Sequence, residues 1–284
     1  MPKYKEDIRQ DWEGATGKEV KAAATPGYPG DSLVKNEGDP VEKDTFRKIL
    51  GKVMWYARKI TPESSNAIRE LAMFMDNPGE EHWKALGRLV GYLVTSPGYL
   101  LLRRPRDLRV FGLVDSNFAT NKETRKSITG YLVTLGGCLV SCMSKTQPAL
   151  TLSSTEAEYY AASMCATEIK FLQMLMEELF PEKNLRPATL LEDNTGAIYL
   201  IENQAVGNRT KHIDIRMHHI REMTSSMEGE LPRMTVTFVR SEENAADVLT
   251  KNVTEKIHDK LVPLIREGRL LEVYDSAHRE DVKK

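Results

Sequence analysis

Apolar and polar positions along the chain follow two different periods, with the change near residue 99. From Asp44 onward, Phe46, Ile49, Leu50, Val53, Met54 and Ala57 fall on one stripe at a 3.6-residue repeat, which predicts an amphipathic helix. Ile68, Leu71, Ala72 and Met75 repeat the pattern, with Pro62 at the entry and Asn77-Pro78-Gly79 as the stop. A third helix is predicted from Glu80 to Val94, closed by Ser96-Pro97-Gly98. Ahead of these helices, residues 1–43 mix Gly, Pro, Lys, Glu and Asp without a hydrophobic period, as in Ala24-Thr25-Pro26-Gly27-Tyr28-Pro29-Gly30-Asp31. That composition predicts a flexible, extended tether.

At Tyr99 the period drops to two. Tyr99–Leu102 and Leu108–Val114 flank a Pro-Arg-Asp turn and read as a hairpin. A second hairpin joins Ile128–Leu135 to Cys138–Met143 through Gly136-Gly137. A long helix begins at Ser153 or Ser154, with Tyr160, Met164, Phe171, Leu172, Leu175 and Leu179 expected on its buried face. Ala188–Leu191 is a short strand ending in Glu192-Asp193-Asn194, and Ala197–Glu202 a short helix. Ile213–Met227 is a further helix, Met234–Val239 a strand, and Ala245–Lys251 opens the last helical region. This order predicts an α/β fold, a mixed sheet flanked by helices. The expected organisation is a tether over 1–43, a helical region over 44–98, an α/β domain over 99–255, and a C-terminal helix with a charged tail over 256–284.

Composition narrows the function classes. The chain has 284 residues, 40% apolar and 29% charged, a globular and not a disordered balance. A net charge of −1, from 40 Lys+Arg against 41 Asp+Glu, excludes a polybasic binder, so any nucleic-acid contact must be local. Residues 103–126 supply one such patch, a local +4 carried by Arg103, Arg104, Arg106, Arg109, Lys122, Arg125 and Lys126 against Asp107, Asp115 and Glu123. Arg209, Lys211, His212 and Arg216 form a second candidate; a solvated charged face explains it, and Arg103–Arg109, equally well, while Arg125 and Lys126 are the stronger candidates. Three cysteines, an odd count, argue for a reducing compartment and against a disulfide framework. Cys138, Cys142 and Cys165 lack the spacing and fourth partner of a zinc site, and no Gly-rich phosphate loop occurs. Met1–Arg9 carries no secretory signal, and Leu86–Leu102, broken by Arg88 and Pro97, is too short for a membrane span. The expectation is an intracellular protein, cytoplasmic or nuclear, with no membrane and no small-molecule cofactor.

Four acidic residues stand where elements begin or end: Asp115 after a strand, Glu156 in the first turn of the long helix, Asp193 at a strand end and Asp247 opening the last helix. Strand ends and helix starts are where an α/β sheet presents catalytic groups. Converging carboxylates repel unless a divalent cation sits between them, and two cations ~3.5–4 Å apart serve phosphodiester hydrolysis. Local roles account for each one singly: a turn at Asp115, a capping box between Ser153 and Glu156, an Asx turn at Asp193, a favourable helix start at Asp247. Spacing leaves both readings open.

The local wording goes further. Leu113-Val114-Asp115-Ser116-Asn117-Phe118-Ala119, Arg125-Lys126-Ser127-Ile128-Thr129-Gly130-Tyr131, Ser144-Lys145-Thr146-Gln147-Pro148 and Leu152-Ser153-Ser154-Thr155-Glu156-Ala157-Glu158-Tyr159 occur in that order. Glu192-Asp193-Asn194-Thr195-Gly196-Ala197-Ile198, Arg209-Thr210-Lys211-His212-Ile213-Asp214-Ile215-Arg216 and Asn244-Ala245-Ala246-Asp247-Val248-Leu249-Thr250-Lys251 follow. Together they resemble the ribonuclease H domain of copia-type LTR retrotransposon polyproteins. Upstream, Phe46-Arg47, Thr61-Pro62, Phe74-Met75, Asn77-Pro78 and His82-Trp83 look like the thumb and connection that precede that domain. The resemblance spans residues 24–255.

It implies a mixed five-stranded ribonuclease H-like sheet, with Asp115, Glu156, Asp193 and Asp247 as catalytic metal ligands. It also implies Mg²⁺, two ions, with Mn²⁺ as a substitute, and cleavage of the RNA strand of an RNA–DNA hybrid. Contacts to the hybrid are assigned to Arg125, Lys126, Ser127, Asn194, Arg209, Lys211 and His212. The chain departs from the family at Asn117, where an Asp is common, and at Cys142, where the family has Trp. Val239–Glu243 holds none of the His that related cellular enzymes carry before the last Asp. The paired-Asp motif of a polymerase is absent, so other parts of a reverse transcriptase are expected partners. A non-catalytic nucleic-acid-binding remnant is the alternative from a different class. An integrase-like nuclease is the third, which the four-carboxylate set argues against.

Overall fold

The computed structural model describes residues 1–30, 32–104, 107–120, 124–203, 219–226 and 230–281. Alternation within Val110–Asn117 (β1) sends Val110 and Val114 to one face of a sheet and Phe111 and Leu113 to the other, so both faces need cover. Ile128–Leu135 (β2), Cys138–Thr146 (β3), Ala188–Glu192 (β4) and Met234–Phe238 (β5) complete it. The result is a mixed five-stranded sheet in the order β3-β2-β1-β4-β5. β1 to β3 run antiparallel, while β4 joins β1 and β5 joins β4 in parallel. The β2–β3 turn is the predicted one. Gly136 and Gly137 take φ of 56° and 85°, values that residues with a side chain seldom adopt, and Leu135 pairs with Cys138 across them.

The other expected hairpin does not form. Both edges of β1 are already taken, by β2 and β4, so residues 99–102 have no place in the ladder. They run extended instead, and the Leu101 N–H donates to the carbonyl of Arg266 (2.6 Å).

Ser154–Leu179 (α5) covers the face with Val110 and Val114, packing Cys165, Ala166 and Ile169 against Val133 and Leu190. Thr195–Asn203 (α6) and a helical stretch over 219–224 (α7) lie at the same side, contributing Ile201 and Ile220. Most of the helix expected over Ile213–Met227 lies outside the described residues. The opposite face is covered by the 3₁₀ turn Ala245–Leu249 and by Glu255–Arg266 (α8) and Leu271–Asp281 (α9). The segment expected to be a helix with a charged tail is thus two helices, and Leu261, Ile265, Val273 and Ala277 bury apolar surface on the sheet.

The helices expected between residues 44 and 98 appear as Lys43–Ile60 (α2), Ser65–Ala72 (α3) and Glu80–Thr95 (α4), around Phe46, Ile49, Leu50, Val53, Leu86 and Leu89. The expected tether needs correction. Pro2–Thr16 (α1) is a helix whose Ile8 and Trp12 are buried in the same cluster. Tyr4, Ile8 and Trp12 stand four apart, a narrow stripe among polar neighbours that suffices because α2 and α4 supply the rest of the core. Residues 18–30 then cross α4, where Arg88 donates to Thr25 Oγ1 (2.7 Å) and to the Gly27 carbonyl (3.1 Å).

The helical layer is joined to the sheet layer by a buried polar knot. Arg266 on α8 donates to Glu63 Oε1 and to Tyr92 Oη (3.1 Å), and Tyr92 Oη also meets His258 Nε2 (2.8 Å). Glu63 is almost wholly out of solvent, so removing its partner strands a charge. Arg266→Met alone should cost about 3–5 kcal/mol, and Glu63→Leu with Arg266→Met should recover most of that loss. Urea unfolding followed by fluorescence checks this, because Trp12, Trp55 and Trp83 all lie in the helical layer.

Candidate metal centre

Leu113 of β1 is level with Leu191 of β4. Two residues further on, Asp115 and Asp193 therefore leave neighbouring parallel strands side by side, at the end where α/β sheets present their chemistry. α5 starts beside them and adds Glu158. One carboxylate oxygen each from Asp115, Glu158 and Asp193 lies within 4.8 Å of the other two. Asp115 and Glu158 are buried and Asp193 half-buried. Burial, then the neighbouring Glu192, Asp115 and Asp193 charges, push the Glu158 carboxyl well above the ordinary range. Asp115 is raised by burial against the opposing pull of Lys251. Glu158 Oε2 is buried with no hydrogen-bond partner. An all-oxygen set with an unused buried acceptor fits a hard divalent cation such as Mg²⁺ or Mn²⁺.

The turn after β5 brings the fourth acid. Asn244 Nδ2 donates to the Val114 carbonyl (2.7 Å) and its Oδ1 accepts from the Ala246 N–H (3.1 Å), pinning the 3₁₀ turn to β1. Gly130 pairs with Asp115 across the ladder and makes this approach possible: a Cβ there would sit 2.6 Å from Thr250 Cγ2 and 2.9 Å from Leu249 Cβ. The Thr250 hydroxyl donates to Asp115 Oδ2, and Asn117 Nδ2 donates to the Thr250 carbonyl (3.3 Å). A carboxylate at 117 could not donate that bond, which gives the departure from the family a structural use. Asp247 reaches the site through Lys251, whose Nζ lies 2.8 Å from Asp247 Oδ1 and 3.3 Å from Asp115 Oδ1. Burial works to lower the Lys251 ammonium, but the Asp115 and Asp247 charges outweigh it and hold it above the usual lysine value.

Of the four acids singled out by sequence, Asp115 and Asp193 meet directly and Asp247 joins through Lys251. Glu156 does not join them. Its Oε2 accepts from the Leu152 N–H (2.7 Å) and its own N–H donates to Ser153 Oγ (3.1 Å), so it closes the start of α5. Glu158, two residues on, takes the place in the cluster. The reason is the face of α5. The stripe expected to be buried included Phe171, Leu175 and Leu179, which are 63%, 41% and 60% exposed. Tyr160 and Leu172 of that stripe are buried, but the rest of the buried face is Ala162, Cys165, Ile169 and Met176, and one turn before Ala162 it lands on Glu158. Glu192 was also missed. It is fully buried behind Asp193, with Oε1 accepting from the Asn194 N–H (3.0 Å) and Oε2 unpaired, and burial raises it strongly.

The residues expected to touch nucleic acid are dispersed in role. Arg125 is exposed and Lys126 half-buried on the loop entering β2. Ser127 is buried, accepting from the Ala119 N–H (3.1 Å) and meeting Thr151 Oγ1 (2.9 Å). Asn194 Oδ1 accepts from the Ala197 N–H (3.0 Å), capping α6. Arg209, Lys211 and His212 lie outside the described residues. In the earlier patch, Arg103 donates to the Glu267 carbonyl (2.6 Å), and Arg109 pairs with Asp107 (3.0 Å) and lies over the Tyr274 ring.

Over 222 residues, 78% of its length, the chain is 34% identical to the retrovirus-related Pol polyprotein from transposon TNT 1-94 of Nicotiana tabacum. Over 237 residues, 82% of its length, it is 35% identical to the corresponding Pol polyprotein from transposon RE1 of Arabidopsis thaliana. The chain belongs to the copia-type, retrovirus-related Pol polyproteins. It spans 16% of the length of each of these Pol relatives. Among solved structures, LC11-RNase H1 aligns to 55% of this Pol-type chain and 99% of its own, at 16% identity and a TM-score of 0.37. No family model matches. Among the described residues, no helix is long and apolar enough to cross a membrane.

Two outcomes test this geometry. Carboxyls raised on folding bind more protons in the folded state, so their stabilising effect is present at acid pH and lost as pH rises. With chelator, the thermal midpoint should fall as pH climbs from about 4 towards neutrality and beyond, and millimolar Mg²⁺ should restore it most at the alkaline end. Gly130→Ala should cost about 1–3 kcal/mol by forcing the Ala245–Leu249 turn off the sheet. Its Mg²⁺-induced rise in midpoint should shrink as well, which calorimetry resolves.

Proposed function

We propose that this chain is a ribonuclease H-type endonuclease that uses Mg²⁺, or Mn²⁺ in its place, to cleave the RNA strand of an RNA–DNA hybrid. The observation that carries the reading is the meeting of Asp115, Glu158 and Asp193 around a buried carboxylate oxygen with no partner, in a chain of Pol ancestry. Asp115, Glu158 and Asp193 would hold one cation, and Asp115 with Asp247 would offer oxygens for a second. When bound, such ions lower the pKa of an attacking water and offset charge on the scissile phosphate. Thr250 and Asn117 keep Asp115 in one orientation. Asn194 caps α6 beside Asp193 and fixes the turn that carries it. Arg125 and Lys126 contact phosphates along the hybrid, as do Arg209, Lys211 and His212, and recognition rests on A-form shape and the 2′-OH. The helical layer corresponds to a thumb or connection, and the remaining parts of a reverse transcriptase are its partners.

A labelled hybrid, with single-stranded RNA and duplex DNA as controls, is the test. Asp193→Asn and Glu158→Gln should each lower Mg²⁺-dependent RNA release by about 10²-fold or more while leaving hybrid affinity nearly unchanged. Glu156→Gln should stay within a few-fold of the parent. Salt-sensitive hybrid binding with no cleavage in Mg²⁺ or Mn²⁺ would overturn the reading in favour of a non-catalytic binder.

A further inference from the structure

The acidic site has two unequal sides. Towards α5, Asp115, Glu158 and Asp193 face one another, with a buried Glu158 oxygen left unbonded. Towards the Ala245–Leu249 turn, the Lys251 ammonium already lies within bonding distance of Asp247 (2.8 Å) and Asp115 (3.3 Å). The backbone puts it there. The Thr250 and Lys251 N–H groups both donate to the Asp247 carbonyl (3.1 and 3.0 Å), closing one turn, so the lysine is returned to the acid four residues before it. Its side chain is nonetheless 40% exposed. A four-carbon stem open to solvent on one side can turn its charge outwards without opening the core.

Resting on the reading of this cluster as a divalent-cation centre, we propose that Lys251 is a built-in occupant of the Asp115–Asp247 side. It must be turned out before that side accepts a divalent ion. The centre therefore fills in two steps of different affinity, the first on Asp115, Glu158 and Asp193, the second in competition with the lysine. Lys251 is a positioning residue in this scheme. It keeps Asp247 aligned and compensated until the second step, and it offsets part of the mutual repulsion of the acids in the ion-free protein.

Titration of the full chain with Mn²⁺, counting free ion by its paramagnetic resonance signal, tests the scheme without reference to cleavage. The parent should show one tighter and one weaker equivalent. Lys251→Met, which keeps the stem but removes the charge, should tighten the second equivalent by about tenfold or more and leave the first nearly unmoved. Lys251→Arg should keep the weak second step. In the parent, reductive methylation read by mass spectrometry should find Lys251 slow to react without ion and faster once the second equivalent is added. Identical two-step uptake in parent and Lys251→Met, or Lys251 reactivity indifferent to Mn²⁺, overturns this proposal and leaves the metal-centre reading standing. A parent that takes up no Mn²⁺, or an Asp193→Asn variant that takes it up as well as the parent, removes the metal centre itself and the proposal with it.

Discussion

Gathering carboxylates at one end of a sheet is electrostatically uphill, and much of the surrounding structure exists to hold them there. Asp115 and Glu158 are both out of solvent and raised first by burial, then Asp115 by the Asp247 and Asp193 charges and Glu158 by those of Glu192, Asp115 and Asp193. Three kinds of restraint oppose their separation. Parallel pairing of β1 and β4 sets Asp115 beside Asp193. The absence of a side chain at Gly130 lets the Thr250 end of the last turn press against the sheet. Asn244 then ties that turn to the Val114 carbonyl, so Asp247 and Lys251 arrive at a fixed height above Asp115. None of these restraints is itself acidic: two are set by the backbone and the third by a neutral side-chain amide.

The parts of the fold that depend on local signals were legible in the amino-acid order. Gly136-Gly137 marks the β2–β3 turn because nearly any other pair would pay for positive φ, and the 3.6-residue stripe from Phe46 to Ala57 marks α2. Asp115 and Asp193 were legible as strand-end acids. What escaped was decided at a distance. Tyr99–Leu102 has a strand's composition, but the edge it would need belongs to β4, more than eighty residues later. Arg103 and Arg109 look like a free basic patch until α9 and its approach bring Glu267 and Tyr274 to them.

The α5 acids show the same limit more sharply. Choosing between Glu156 and Glu158 means choosing a face of the helix, and size misleads there. The bulky residues Phe171 and Leu179 are largely in solvent, while the sheet is met by Ala162, Cys165 and Ala166. Small side chains let the helix lie close to β1, at the cost of a weak periodic signal. A capping box was a sufficient local reason for Glu156, and the residue does serve the helix start, although its carboxylate takes the Leu152 N–H and not that of the N-cap Ser153.

Arg266 closing on Glu63 ties the last third of the polypeptide to its first third. A cut at residue 99 would divide the sequence tidily and the molecule badly. The sheet transplanted alone into another protein would carry a naked guanidinium on α8 and lose the tyrosine that lines its seat. Any lineage that inherits this fold as a movable unit has reason to inherit its helical layer along with it.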